Sequence, residues 1–470
     1  MSAVWRSNAF FYGAITLFLA APLFFVDVIP LYDLPAHLAR QYILFGPPSP
    51  YYAPQWRIVP NLALDIWVAV FHKFLSIDMS VRLFLATTII QLFWGTIALH
   101  RVFFNNTETR LIVSAALFAY NGPFLFGFIN LCFGFGMMLW TFAIWFQYRE
   151  KLTIQLILAC ITSIMLISHL FAFAVYAVVL ISFLIGDYIT GFRSIKKILS
   201  YTLHLLAPIS IYIILMPRAE MNGLIGYNPI SSKIADIYSS LGLYNPFLDM
   251  LTLLFLLIAI IIGWRKIYVA SFMWLPLASL AMVYLLLPHN LGQGSFVDYR
   301  MPTAFALFTC ASINWRNLNE QYRVRVEAAL FIVFVMRILF MIMQWQNWQI
   351  DFMEIQRAFS KLPSGSKLLT LSADPNTIDF STPPPLGHVD AFAVINHGAL
   401  VPDLFAGLAH EVIIYREPYN RIATQEPSVA LEHEFDYVLL LRPENIPKDH
   451  MPHYSEISHG RTFSFGKIMH

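Results

Sequence analysis

Apolar residues in this chain come in long blocks separated by short polar stretches, and the lengths of the blocks carry the first reading. A helix needs roughly 20 apolar residues to cross a hydrocarbon layer about 30 Å thick. Blocks of this kind predict membrane spans at about 9–29, 82–100, 111–121, 124–147, 153–168, 170–189, 198–216, 249–264, 268–287, 302–315 and 326–345. The break at Asn121-Gly122-Pro123 reads as a kink or a tight reversal. Over 61–75 the apolar pattern is interrupted by Asp65, His72 and Lys73, which predicts an interfacial or re-entrant helix. From about residue 346 the pattern turns polar and proline-bearing. Short apolar runs bounded by turn residues predict strands at 367–372, 411–416 and 437–441, and 388–404 has helical spacing. Pro383-Pro384-Pro385 predicts a rigid loop. The expected fold class is an α-helical polytopic membrane protein of about eleven spans over 1–345, followed by a small extracytoplasmic α/β domain over 346–470.

Composition agrees with this reading. The chain is 58% hydrophobic and 12% charged, far from the balance of a soluble globular protein. Its formal net charge of +2 comes with no basic stripe, which excludes nucleic acid as a partner. Cys132, Cys160 and Cys310 lie far apart inside apolar runs, so they offer neither a disulfide framework nor a metal-ligand spacing. The first block contains Asp27 as its only charge and is followed by no clear cleavage site, which predicts a retained signal anchor. Lysine and arginine concentrate in alternate short loops, from Arg6 through Arg149 and Lys151 to Arg323 and Arg325. Basic loops stay in the cytoplasm. The N-terminus is therefore expected inside, with loops 30–80, 217–249 and 288–301 and the tail outside.

The first outer loop holds the densest chemistry. Asp33, His37 and Arg40 follow one another at spacings of four and three, which places them on one face of a helix. Asp33 reads either as a cap for that helix or as a catalytic carboxylate able to act as general base or to hold a divalent cation. His37 reads as a partner of Asp33 or a substrate contact, and Arg40 as a phosphate ligand or a headgroup anchor. A second group, Asp298 and Arg300, sits in the glycine-bearing loop 288–301. Arg300 suits phosphate through its planar fork, or it pairs with Asp298. Asp65, His169 and Arg337 are ionisable groups at or inside apolar segments, where such residues are rare. An Asp65–Arg337 pair is one expectation, and contact of Arg337 with an anionic lipid head another. Trp56 and Trp67 are the aromatics considered for a sugar site. Gly127, Gly134 and Gly136 read as helix-packing positions. His388, His397, His410 and His433 lack a zinc spacing and read as solvated or core residues.

An acid just after the first span, many spans and an outer C-terminal domain resemble the GT-C superfamily of integral-membrane glycosyltransferases. Asp33 stands where that superfamily places its acidic residue, and Asp33 with His37 gives a D-x-x-x-H pattern similar to that of some bacterial members. Many members carry two adjacent acids, whereas Tyr32 and Leu34 flank Asp33 here, which leaves a divalent cation open. The resemblance implies inverting transfer of a sugar from a polyprenyl-phosphate donor to a glycan, lipid or protein acceptor at the outer face of the plasma membrane. It also implies Asp33 as base and a cation for the departing phosphate, with Arg300 first, then Arg40, and Arg337 if its span tilts outward. Two rival readings are a transporter or lipid flippase that uses the intramembrane polar residues, and a non-catalytic assembly factor for envelope polysaccharide.

Overall fold

The computed structural model describes residues 3–470 except 106–109, 193, 217–224, 243, 293, 316–318, 373–385, 403, 408–410 and 425–427. Its contacts divide into two compact units. The first comprises Met1–Leu23, Ile58–Leu64 and Leu83–Met341, the second Phe24–Arg57, Asp65–Arg82 and Ile342–His470.

The first unit is helical. Among the described residues of the chain, Ile77–Phe103, Ile129–Tyr148, Leu170–Ile189, Pro246–Gly263 and Glu320–Phe359 are long and apolar enough to cross a membrane. Ile195–Tyr201 with Leu203–Leu215, bent by 42°, makes a sixth if the pair is one span. Shorter apolar helices occupy Phe10–Phe24, Val113–Phe126, Leu152–Ser168 and Ser271–Leu286. A helical element lies over each of the eleven segments predicted from the apolar pattern. Pro246–Gly263 turns Leu251, Leu254, Leu257, Ile261 and Ile262 outward, an exposed apolar surface that water would not tolerate but lipid does. The chain is an integral membrane protein, mostly helical, with small sheets towards its C-terminus.

Local sequence explains the breaks. Asn121 is not a kink: its side chain accepts the Phe124 N–H at 3.0 Å and caps a new helix, Gly122–Phe126. Gly127 ends that helix at φ 108°, a left-handed conformation, so it serves as a C-terminal cap rather than the packing position expected. Gly134 does mark a close helix approach, since a Cβ there would stand 2.7 Å from the Ala172 Cβ. His169 caps the next helix, its Nδ1 accepting the Phe171 N–H at 3.1 Å.

The second unit is built around a four-stranded sheet ordered Leu368–Ser372, Tyr437–Leu441, Phe463–Ile468, Tyr454–His459; the first pair is parallel and the others antiparallel. A two-stranded antiparallel ribbon pairs Tyr52–Pro54 with Ile413–Tyr415, bringing Tyr52 opposite Tyr415. The strand predicted over 437–441 is present in full, and those over 367–372 and 411–416 are present with their ends trimmed. The Tyr454–Ile468 hairpin was not expected, because its outer strand is polar and mostly exposed. The helix expected over 388–404 is shorter, Ala391–His397, because Gly398 turns left-handed at φ 61°. The triple-proline loop and His410 lie outside the described residues.

Candidate active site

Four of the candidate residues lie in the second unit. Pro35 opens the helix Leu34–Phe45, and Asp33 occupies its N-cap position. The expected capping bond is absent: at φ −88° and ψ −7° the Asp33 backbone is already helical, not the extended form that aims a side chain at the first N–H groups. The carboxylate instead meets an imidazole, with Asp33 Oδ1 3.6 Å from His388 Nε2. His388 is held in a left-handed turn at φ 52°, against the rings of Tyr32 and Phe405 at centroid distances of 5.9 and 5.0 Å. Gly387 permits this approach, because a Cβ there would run into the Tyr32 ring. One turn along the helix, the His37 ring lies 5.2 Å from Phe405. Asp33 and His37 are both buried. His388, read from sequence as a solvated or core residue, thus becomes part of the candidate site. No local motif marks it, since the two partners are separated by most of the chain.

Arg40 closes the same helix face with 1% exposure, and it is engaged by protein rather than exposed to lipid headgroups. Its Nε donates to Asp65 Oδ1 at 3.0 Å, Nη2 forms a second bond to Asp65 Oδ2, and Nη1 donates to Glu411 Oε2 at 2.5 Å. Gln41 adds a fourth bond, to Asp65 Oδ1 at 2.7 Å. The expected Asp65–Arg337 pair does not form, because this fork already satisfies Asp65. Burial pushes the Glu411 carboxyl up to about 7, against the pull of Arg40, and the neighbouring Asp65 charge pushes the same way. Trp67 donates to the Ser80 carbonyl at 3.0 Å, and Trp56 is exposed.

The other candidates lie in the first unit. Asp298 does not pair with Arg300. It is fully buried and meets Lys233 Nζ at 3.1 Å and His289 Nδ1 at 2.9 Å. Lys233 also donates to the carbonyls of Tyr284 and Leu287 at 3.0 and 2.7 Å. Arg300 is half-buried, donates to the Ser295 carbonyl at 3.0 Å, and places its guanidinium 4.6 Å from the Phe128 ring centre. Arg337 forms an ion pair with Asp249 at 2.7 Å and donates to Thr252 Oγ1 at 3.0 Å and to the Leu241 carbonyl at 2.8 Å. The same unit contains an apolar cavity of about 430 Å³, lined by Leu253, Leu257, Phe305, Cys310, Trp315 and Leu330 among others.

Among the described residues, no group of three or more His, Cys, Asp or Glu is placed to hold a metal ion. Asp33 meets the His388 imidazole, and a nitrogen donor is not the oxygen ligand that a hard divalent cation prefers.

Across its length the chain is similar in structure to ArnT from Cupriavidus metallidurans, solved bound to undecaprenyl phosphate: TM-score 0.57, 10% identity, 99% of this chain and 98% of that one. The fold is GT-C-like. The arabinofuranosyltransferase AftD from mycobacteria also aligns, with TM-score 0.48, 12% identity, and coverage of 100% of this chain and 40% of its own. No family model matches the sequence, and no curated protein matches it.

Proposed function

We propose that this protein is an inverting glycosyltransferase that moves a sugar from a polyprenyl-phosphate donor to an envelope glycan, lipid or protein acceptor at the outer face of the plasma membrane. The observation that carries this reading is the full-length likeness to ArnT, whose structure holds undecaprenyl phosphate. The apolar cavity in the first unit supports it, since its lining is predominantly hydrocarbon and suits a polyprenyl chain. The topology that goes with it has eleven spans, the N-terminus in the cytoplasm and residues 346–470 outside, as the distribution of basic loops suggests.

In this reading Asp33 takes the proton from the acceptor hydroxyl as its oxygen attacks the anomeric carbon. The bond from that carbon to the phosphate oxygen breaks, and its electron pair leaves with the polyprenyl phosphate. A single displacement of this kind inverts the anomeric centre. His388 is a positioning residue: at 3.6 Å it orients the carboxylate. Arg300 remains the candidate for a phosphate-binding cation within the first unit, through its planar fork. Arg40 and Arg337 are assigned structural roles, since each is saturated by buried acceptors. The same saturation disfavours a transporter, because Asp65 and Arg337 are spent in local pairs rather than lining a polar path.

The test is complementation of a deletion strain with wild type or Asp33→Asn at matched membrane levels, reading envelope glycan composition and lipid-linked intermediates. Loss of one sugar with build-up of its lipid-phosphate donor is expected for Asp33→Asn. A normal envelope in the variant, beside a defect in the deletion, would remove Asp33 as base.

A further inference from the structure

The helix Leu34–Phe45 has a second working face. Leu34, Leu38 and Tyr42, spaced four apart, line a half-open cavity of about 290 Å³ within the second unit. Asp33, His37 and Arg40 do not line it. Its floor is apolar, with Leu38, Val81 and Phe392, and its rim carries Asp27, Asp78, Arg82, Gln356 and Asn396. Tyr42 donates to Asp78 Oδ2 at 2.6 Å. Burial and that bond push the Tyr42 hydroxyl up to about 12, so it stays a donor. Arg82 donates to the Val26 carbonyl at 2.9 Å and to the Asp27 carbonyl, which fixes its position on the rim. The amides of Gln356 and Asn396 are taken up by no side-chain hydrogen bond among the described residues.

We infer that this cavity binds one neutral sugar ring, a saccharide unit of the acceptor next to the one that reacts. The inference rests on the glycosyl-transfer reading above and names a binding site within it. Size sets the first limit, since the cavity lies at the lower end of the range for small-molecule pockets. Charge sets the second: two carboxylates face one guanidinium, so an anionic ligand is disfavoured. Chemistry sets the third. Two amides, each with donors and an acceptor, beside a carboxylate match vicinal hydroxyls, and the apolar floor matches the C–H face of a sugar ring.

The experiment uses the full chain in lipid nanodiscs and measures binding of free glucose, galactose, mannose, arabinose and rhamnose by ligand-observed saturation-transfer NMR. Wild type is expected to bind at least one of these saturably. The double variant Gln356→Ala/Asn396→Ala loses two neutral hydrogen bonds and is expected to bind about thirtyfold more weakly. Leu38→Trp, which fills the cavity, is expected to abolish binding, and Asp33→Asn to leave it unchanged. Absence of saturable binding by wild type overturns the inference, as does undiminished binding by the double variant. The two readings fail separately. If Asp33→Asn abolishes transfer while the cavity variants bind sugars normally, only the cavity assignment falls. If Asp33→Asn transfers normally while binding depends on Gln356 and Asn396, the base falls and the cavity stands.

Discussion

The Arg40–Asp65–Glu411 cluster makes the stability of the second unit depend on pH. Two buried carboxylates share one guanidinium, and Asp65 holds it with two bonds to Glu411's one. Burial raises Glu411 from 4.5 to about 7. A carboxyl raised on folding binds more protons in the native state than in the unfolded one. Its stabilising contribution is therefore complete below pH 4.5 and is lost as pH climbs through about 7. That loss amounts to on the order of 3 kcal/mol. At roughly 2–4 °C per kcal/mol for a unit of this size, the unfolding midpoint should fall by about 6–12 °C between pH 4.5 and 8 from this group alone. Glu411→Gln keeps the shape of the side chain and removes the titration. The measurement is tryptophan fluorescence on heating, with wild type and Glu411→Gln compared in nanodiscs across that pH range. The two curves should converge in acid and separate above neutrality, with the variant the more stable there. Parallel curves, or separation only in acid, would refute the reasoning.

Other variants probe the remaining buried charges and the packing. Arg40→Met removes the guanidinium that Asp65 and Glu411 hold and should cost about 3–5 kcal/mol, seen as an unfolding midpoint below that of wild type at pH 8. Arg337→Met should cost a similar amount by stranding Asp249, and Arg337→Met/Asp249→Leu should recover most of it; the comparison is folded yield by fluorescence-detected size exclusion. Gly134→Val should lower the yield of folded protein, because its side chain has nowhere to go against Ala172; an unchanged elution profile counts against the close approach. Asp33→Asn should lower transfer by about 10²–10⁴-fold while leaving the unfolding midpoint near wild type, as read by coupled transfer and melting assays.

Much of the architecture was legible because lipid imposes a simple rule on sequence: continuous apolar length. The helices of the first unit follow that rule, and so do the buried strands Leu368–Ser372 and Tyr437–Leu441, which are apolar runs in their own right. The Tyr454–His459 strand escaped because an exposed edge strand has no apolar signature. The helix carrying Asp33, His37 and Arg40 was readable from spacing and Pro35. The orientation of Asp33 was not, since it depends on the backbone angles of one residue. The partners of the charges were least legible. Asp65 was matched with Arg337 and Asp298 with Arg300, whereas the structure pairs Asp65 with Arg40, Arg337 with Asp249, and Asp298 with Lys233 and His289. A composition gives the charges but not who sits beside whom. His388 and Glu411 were out of reach for the same reason.

The bond from Arg40 to Glu411 joins residues 371 positions apart, and the ribbon of Tyr52–Pro54 with Ile413–Tyr415 closes a loop of similar length. During synthesis the first of these segments leaves the ribosome long before the second exists. Asp33 then lacks His388, and Arg40 has Asp65 but not Glu411. The nascent chain therefore carries Asp33 without its imidazole partner until nearly the whole chain has been made. A chain arrested or clipped after the last membrane helix would keep its spans yet leave the strand Tyr52–Pro54 unpaired.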